Sequence, residues 1–300
     1  MPIVVLLSTF NGARFLRAQL ESLLSQTREI RLLVRDDGSK DGTAAILDEY
    51  AARGALTWFP GENLGPGRSF RALLECAPAA ELYAFCDQDD VWDADKLESA
   101  ARALSQTAPD APTLYCSDVR LTDAALRPLP GTCARARAAA FPYALLYNAA
   151  PGCTFVFNRA LYEALRRIPA SSPLWANHDW TTLQTAACLG RVLFDPGRHM
   201  CYRQHEANAV GAPRRSNAST ARKLWSFWAG EKRNSRSARA YRLLSALGEA
   251  MCPEVRRLVG GMARYRDDPV LRRALLTGAG TWYSPGTAAL VHLLIRTNRL

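Results

Sequence analysis

The chain opens on Ile3-Val4-Val5-Leu6-Leu7-Ser8-Thr9, an apolar run with no polar alternation. A strand of that composition has to be covered on both faces, and such strands belong to parallel sheets wrapped by helices. The same kind of run returns at Ile30–Val34, Leu56–Phe59 and Leu82–Cys86. Between the runs the period changes. In Ala13–Gln26, Phe15, Leu16, Leu20, Leu23 and Leu24 fall on one helical face, and residues 43–53, 68–76 and 94–104 also read as helices. Strand and helix alternating at this spacing predict a doubly wound α/β unit with a mostly parallel sheet flanked by helices. Leu114–Leu121, Gly152–Asn158, Arg191–Phe194 and Met200–Arg203 read as further strands, and His178–Cys188 as a helix. Past about residue 210 the strand pattern stops and Arg-rich helical segments follow. The expected organisation is an α/β domain over 1–210 and a basic helical extension over 211–300.

Open α/β sheets bind ligands beyond the carboxyl ends of their strands. Two acidic clusters fall there, Asp36-Asp37 after the second run and Asp87-Gln88-Asp89-Asp90 after the fourth. Carboxylates this close repel unless a cation joins them, and hard oxygen ligands suit Mg²⁺ or Mn²⁺. The alternative is an acid-rich helix start, since Asp93 and Asp95 follow. At Asp36-Asp37 the acids either meet a base ring N–H or belong to a turn in which Asp41 or Thr43 caps the next helix. The loop Asn63-Leu64-Gly65-Pro66-Gly67 is neither a Walker loop nor a GxGxxG turn, and Arg68 or Arg71 beyond it can meet a phosphate or serve an ordinary loop. Asn177-His178-Asp179-Trp180 opens a helix; Asp179 is either a general base oriented by His178 or a cap. His205, closing Tyr202-Arg203-Gln204-His205, is a metal or diphosphate ligand or a surface residue. No GxSxG elbow or triad signature is present.

The net charge of +10 is unevenly placed. Residues 201–300 carry 18 Lys/Arg against 6 Asp/Glu, whereas residues 1–200 carry 20 against 22. Such a tail is a solvated surface or a contact for an anionic partner. Trp225, Phe227 and Trp228 beside Arg222-Lys223 fit core packing, an interfacial helix or single-strand binding, but no nucleic-acid module accompanies them, so no nucleic-acid partner is expected. The 8 cysteines include no CxxC pair and read as small apolar residues of a reducing compartment. The first apolar run is too short for a secretory signal, and no stretch reaches the length of a membrane span. A cytoplasmic protein is expected, with the basic region touching the inner face of an anionic membrane.

Taken in order, the motifs resemble glycosyltransferase family 2, the nucleotide-sugar transferases of the GT-A fold. The resemblance rests on Leu7–Gly12, Val34–Thr43, Asn63-Leu64-Gly65, Asp87–Trp92, Gly152-Cys153-Thr154, His178-Asp179-Trp180 and Tyr202–His205. It is closest in look to bacterial rhamnosyltransferase-like members that build surface polysaccharide. It implies an inverting transferase of the hexosyl class, with a nucleoside-diphosphate sugar as donor (TDP-rhamnose first, UDP-hexoses next) and a glycan or lipid-linked hydroxyl as acceptor. It assigns Thr9 and Asp37 to the base, Arg68 or Arg71 to the nucleotide, and Asp87 and Asp89 to the DxD pair, with Asp87 also beside the nucleotide. His205 matches a position that reaches the metal or diphosphate, Asp179 goes to base catalysis, and His178 and Trp180 to acceptor or orienting roles. Similar sequences often read His-Asp-Trp-Trp, and Thr181 departs from that. A catalytically inactive nucleotide-binding scaffold is the competing reading; the intact DxD and His-Asp argue against it.

Overall fold

The computed structural model describes residues 2–132, 139–206 and 236–273, together with 276, 292, 295 and 296. The domain boundary expected near residue 210, Cys133 and the Arg222–Trp228 segment lie outside the described residues.

The N-terminal half follows its sequence pattern closely. Strands β1 (Ile3–Thr9), β2 (Ile30–Asp36), β3 (Thr57–Pro60) and β4 (Leu82–Asp87) alternate with helices α1 (Ala13–Leu24), α2 (Thr43–Ala52) and α3 (Pro66–Cys76). All pairings among these strands are parallel, so their carboxyl ends share one edge: Thr9 lies opposite Asp36, and Ser8 opposite Asp87. The apolar runs explain the two-sided cover. Ile3, Val5 and Leu7 face Leu16, Leu20 and Leu23 of α1, while Val4 and Leu6 face Phe70, Leu73 and Leu74 of α3.

The remainder is less regular. After β5 (Val91–Trp92) and α4 (Lys96–Leu104) come β6 (Thr113–Thr122), β7 (Val156–Asn158), α5 (Arg159–Arg166), α6 (His178–Leu189) and β8 (Arg191–Arg203). They complete an eight-stranded sheet in the order β3-β2-β1-β4-β7-β6-β8-β5. β7 is antiparallel to both β4 and β6, β5 is antiparallel to β8, and β6 and β8 are parallel. Two expectations change. The Gly152–Asn158 run is a 3₁₀ turn, Gly152–Thr154, followed by a three-residue strand. The two short strands expected within 191–203 are one long strand, bent by register shifts against β6 at Ser117–Arg120. Asn158 ends β7 and caps α5 by accepting from the Leu161 N–H at 3.1 Å.

Helices α7 (Arg236–Leu247) and α8 (Pro253–Arg264) form the described helical C-terminal part. Ala240, Leu243, Leu247, Val259 and Met262 are buried in the same hydrophobic cluster as Phe70, Trp175 and Leu183. Among the described cysteines, Cys86, Cys116, Cys153 and Cys188 are buried free thiols, whereas Cys76 and Cys252 are exposed. No helix of the described residues is long and apolar enough to cross a membrane.

Candidate active site

The carboxyl end of β4 is where charge is least satisfied. Asp90 is fully buried; its Oδ1 accepts the Arg203 N–H at 3.1 Å, and its Oδ2 has no partner. Asp87, Asp90 and Cys153 place ligand atoms within 4.8 Å of one another. Burial, followed by the charges of Asp89 and Asp179, pushes Asp87 up to about 7, and burial drives Asp90 well above the carboxylate range. Asp89 turns to the other side of the loop, where its Oδ2 lies 2.7 Å from His205 Nε2. Beneath the acids, the buried Lys96 ammonium sits over the Trp92 ring, 3.3 Å from its centroid, without a hydrogen-bond acceptor. Burial lowers Lys96 to about 8, against the pull of Cys153, Cys86 and Asp90. Crowded carboxylates, an orphan oxygen and an adjacent imidazole fit a divalent cation with hard oxygen ligands. The expected metal residues fall into two groups here: Asp87 clusters with Asp90 and Cys153, while Asp89 pairs with His205.

The loop itself is braced from two directions. Gln88 Oε1 accepts the Phe10 N–H at 2.8 Å and its Nε2 donates to the Phe10 carbonyl at 3.0 Å, tying the DxD loop to the end of β1. Arg203 donates through Nε to the Asp89 carbonyl at 2.7 Å and through NH1 to the Ala124 carbonyl at 2.5 Å. Both residues sit inside motifs visible in the sequence, but their bracing role is not legible there, because each acts on backbone contributed by a distant segment.

Asp179 reaches this edge on the first turn of α6. A Cβ at Gly152 would stand 2.8 Å from His178 Nε2 and 3.0 Å from Asp179 Cβ, so glycine there lets the helix start approach the Cys153 turn. Asp179 Oδ2 accepts from Asn148 Nδ2 at 2.7 Å, and its Oδ1 from the Trp180 N–H at 2.7 Å. The expectation that His178 orients Asp179 is corrected: Asn148 does so. His178 is instead a packing ring, stacked on Phe70 with centroids 4.0 Å apart and edge-on to Phe85 at 5.2 Å. Its Nε2 has no partner, and burial lowers it to about 4, so it is neutral. Trp180 donates from Nε1 to the Ala144 carbonyl at 2.8 Å, which anchors its ring.

The end of β2 is occupied differently. Asp37 is 2% exposed; it pairs with the buried Arg35 and accepts the Leu64 and Gly65 N–H groups, each at 2.9 Å. Thr9 is also buried and donates to Asp36 Oδ1 at 2.9 Å. Asp41 Oδ1 accepts the Thr43 N–H at the start of α2, and Asp41 Oδ2 the Ala13 N–H at the start of α1, each at 3.0 Å, so the turn alternative is realised at that position. Arg68 is exposed on the first turn of α3. Arg71 is not brought to the acids: its guanidinium packs over Trp175, donates to the Ile168 carbonyl at 3.4 Å and pairs with Glu75 at 3.0 Å.

Comparison with known proteins agrees with this geometry. The chain is 28% identical over 218 residues to the dTDP-rhamnosyl transferase RfbG of Shigella flexneri, covering 69% of this chain and 74% of that one. It is 35% identical over 101 residues to an uncharacterized glycosyltransferase of Nostoc sp., about a third of each chain (33% and 31%). Among solved structures, S. aureus TarS 1–349 in complex with UDP-GlcNAc superposes with a TM-score of 0.59 at 18% identity, over 90% of this chain and 74% of that one. The mannosyltransferase PcManGT from Pyrobaculum calidifontis, in complex with GDP-Man and Mn²⁺, gives 0.52 at 19% identity, over 96% and 78%. These likenesses establish the GT-A architecture. The model of "Glycosyl transferase family 2" matches residues 4–163, more than half of the chain and the stretch that holds both acidic strand ends, so the protein belongs to that family and is a glycosyltransferase.

Proposed function

We propose that the protein transfers a sugar with inversion from a nucleoside diphosphate to a hydroxyl of a glycan or lipid-linked acceptor in cell-surface polysaccharide synthesis. The observation that carries this reading is the convergence of Asp179 and the β4 acids, close enough that the charge of Asp179 helps to raise Asp87. Asp179 takes the proton of the acceptor hydroxyl as that oxygen bonds to the anomeric carbon. The bond from that carbon to the diphosphate oxygen breaks on the opposite face, and the leaving oxygen keeps the electron pair. No enzyme nucleophile is required. Mg²⁺ or Mn²⁺ held by Asp87, Asp89 and His205 would neutralise charge on the departing diphosphate. Thr9, the Leu64–Gly65 loop held by Asp37, and the exposed Arg68 line the nucleotide side; Trp180 lines the acceptor side.

dTDP-rhamnose is the first donor to test, supported by the similarity to RfbG, with UDP-hexoses next. We place residues 1–210 as the catalytic unit and 211–300 as an extension, of which α7 and α8 pack on that unit. The excess of Lys/Arg over Asp/Glu in the last hundred residues supports a cytoplasmic protein held at the inner face of an anionic membrane. Transfer assays over a donor panel test the reading. Asp179→Asn is expected to lower kcat by about 10²–10⁴-fold, the usual worth of a positioned general base, with the fold retained. Wild-type turnover in that variant would remove Asp179 from the chemistry.

A further inference from the structure

Arg239 lies on α7, sixty residues beyond Asp179, and is 1% exposed. Its guanidinium covers the Trp180 ring at 4.3 Å from the centroid. Nε and NH2 donate to Gln184 Oε1 at 3.2 and 2.9 Å, and NH2 donates to Thr181 Oγ1 at 3.1 Å. Thr181 in turn donates to the Leu174 carbonyl at 2.6 Å. Every one of these partners stands on the first two turns of α6 or on the segment leading into it. NH1 is buried without any acceptor, and among the described residues no carboxylate lies within ion-pairing distance of the group.

A buried cation without a paired anion is expensive, and packing alone gives no reason for it, since an apolar side chain of similar length would fill the space at lower cost. What the charge gains here is the ring face of Trp180 and the field of Asp179, the largest influence opposing the fall of Arg239 to about 10 on burial. The side chain at 181 also matters. Thr181 is fully buried and small, and its hydroxyl is an acceptor for Arg239; a bulky ring at that position would take the guanidinium's place.

We infer that Arg239 is a positioning residue for sugar transfer, by which the C-terminal part of the chain fixes the Asp179–Trp180 turn from behind. The inference rests on the assignment of Asp179 as base. It makes α7 part of the catalytic apparatus, and it explains why a helix from the extension sends its one fully buried described arginine toward the acceptor side of the site.

The test separates position from stability. Arg239→Met alone strands Gln184 Oε1 and is expected to destabilise. The double variant Arg239→Met/Gln184→Met removes both partners of that bond, a change that is often nearly neutral for folding, and on the Gln184 side gives up besides only the long Nε2 donation to the Leu145 carbonyl at 3.3 Å. In the full-length protein, thermal unfolding should return toward wild type in the double variant, and Mn²⁺ with dTDP should bind as in wild type. The kcat for transfer should remain depressed by about 10- to 100-fold, the scale of an ångström-sized misplacement of a catalytic group. Arg239→Lys should not rescue it, because an ammonium cannot reach Gln184 and Thr181 as a planar fork does. Recovery of kcat together with stability in the double variant would overturn the inference and leave Arg239 a structural residue. Asp179→Asn, assayed alongside, keeps the two ideas apart. If that variant turns over normally, the base assignment fails. If it is inactive while the double variant is fully active, only the role of Arg239 fails.

Discussion

The ends of β2 and β4 carry the same kind of sequence, adjacent acids closing an apolar run, and the folded chain treats them in opposite ways. At β2 the acids are answered by the protein itself: Arg35, three backbone N–H groups and two hydroxyls fill the carboxylates of Asp36 and Asp37. At β4 Asp87 and Asp90 crowd together beside Cys153, one oxygen of Asp90 has no partner, and the buried Lys96 ammonium makes no hydrogen bond. An acidic pair therefore gains chemical meaning from the donors that are missing around it. The β2 end is filled by the protein's own donors; the β4 end is left short of them, as the cation and anionic ligand proposed there would require.

This contrast can be broken by exchanging effects between the two ends. The largest expected effect is on turnover at β4. Asp89→Asn should cut transfer by about 10³-fold or more, since charge stabilisation of a leaving group is worth several kcal/mol. The same substitution should leave metal-free thermal stability equal or higher, because it relieves like-charge repulsion. Next in size is Asp37→Ala, which leaves Arg35 buried and unpaired and should cost about 3–5 kcal/mol in denaturant unfolding. An Asp37→Ala protein of normal stability would make the two ends alike.

His178 gives a mid-sized effect with a definite sign. Its pKa falls from 6.5 in the unfolded chain to about 4 in the fold, so the unfolded state binds the proton first. Stability from this residue is full above pH 6.5 and is lost as pH falls toward 4, by up to about 3 kcal/mol. Urea titrations of wild type and His178→Phe should diverge in slope across that window and run parallel above it. The smallest effect concerns Asp87. Because it is raised to about 7, apparent Mn²⁺ affinity should climb between pH 6 and 8, as ligands must shed protons to bind. Flat affinity across that range would show that Asp87 is already ionised.

How much of this could be read from residue order differs between the same regions. The β1 to β4 half was legible because each element is local: an apolar run, a turn, a helical face. Asp87 and Asp89 were legible because they end such a run. The direction of β7 was not, since a short apolar run such as Phe155-Val156-Phe157 carries no sign of whether its neighbour runs with or against it. Helix α5 carries a recognisable cap in Asn158 and a face of Leu161 and Leu165, a signal that was present and overlooked. Asn148, Cys153 and Arg239 were out of reach because their roles depend on segments 31 to 58 residues away in their hydrogen bonds, or on a turn folding back across β4. The saturation of Asp37 was hidden for the same reason, since apart from Arg35 its donors lie on the loop 27 and 28 residues further on.

The central claim is that the β4 end grips a divalent cation together with a nucleoside diphosphate. Titration calorimetry of the intact chain with Mn²⁺ and dTDP at pH 8 addresses it directly, run beside Asp89→Asn at equal concentration. Saturable heat for dTDP that requires Mn²⁺ and disappears in the variant is the expected result. Metal-independent binding, or equal heats for wild type and variant, would contradict it.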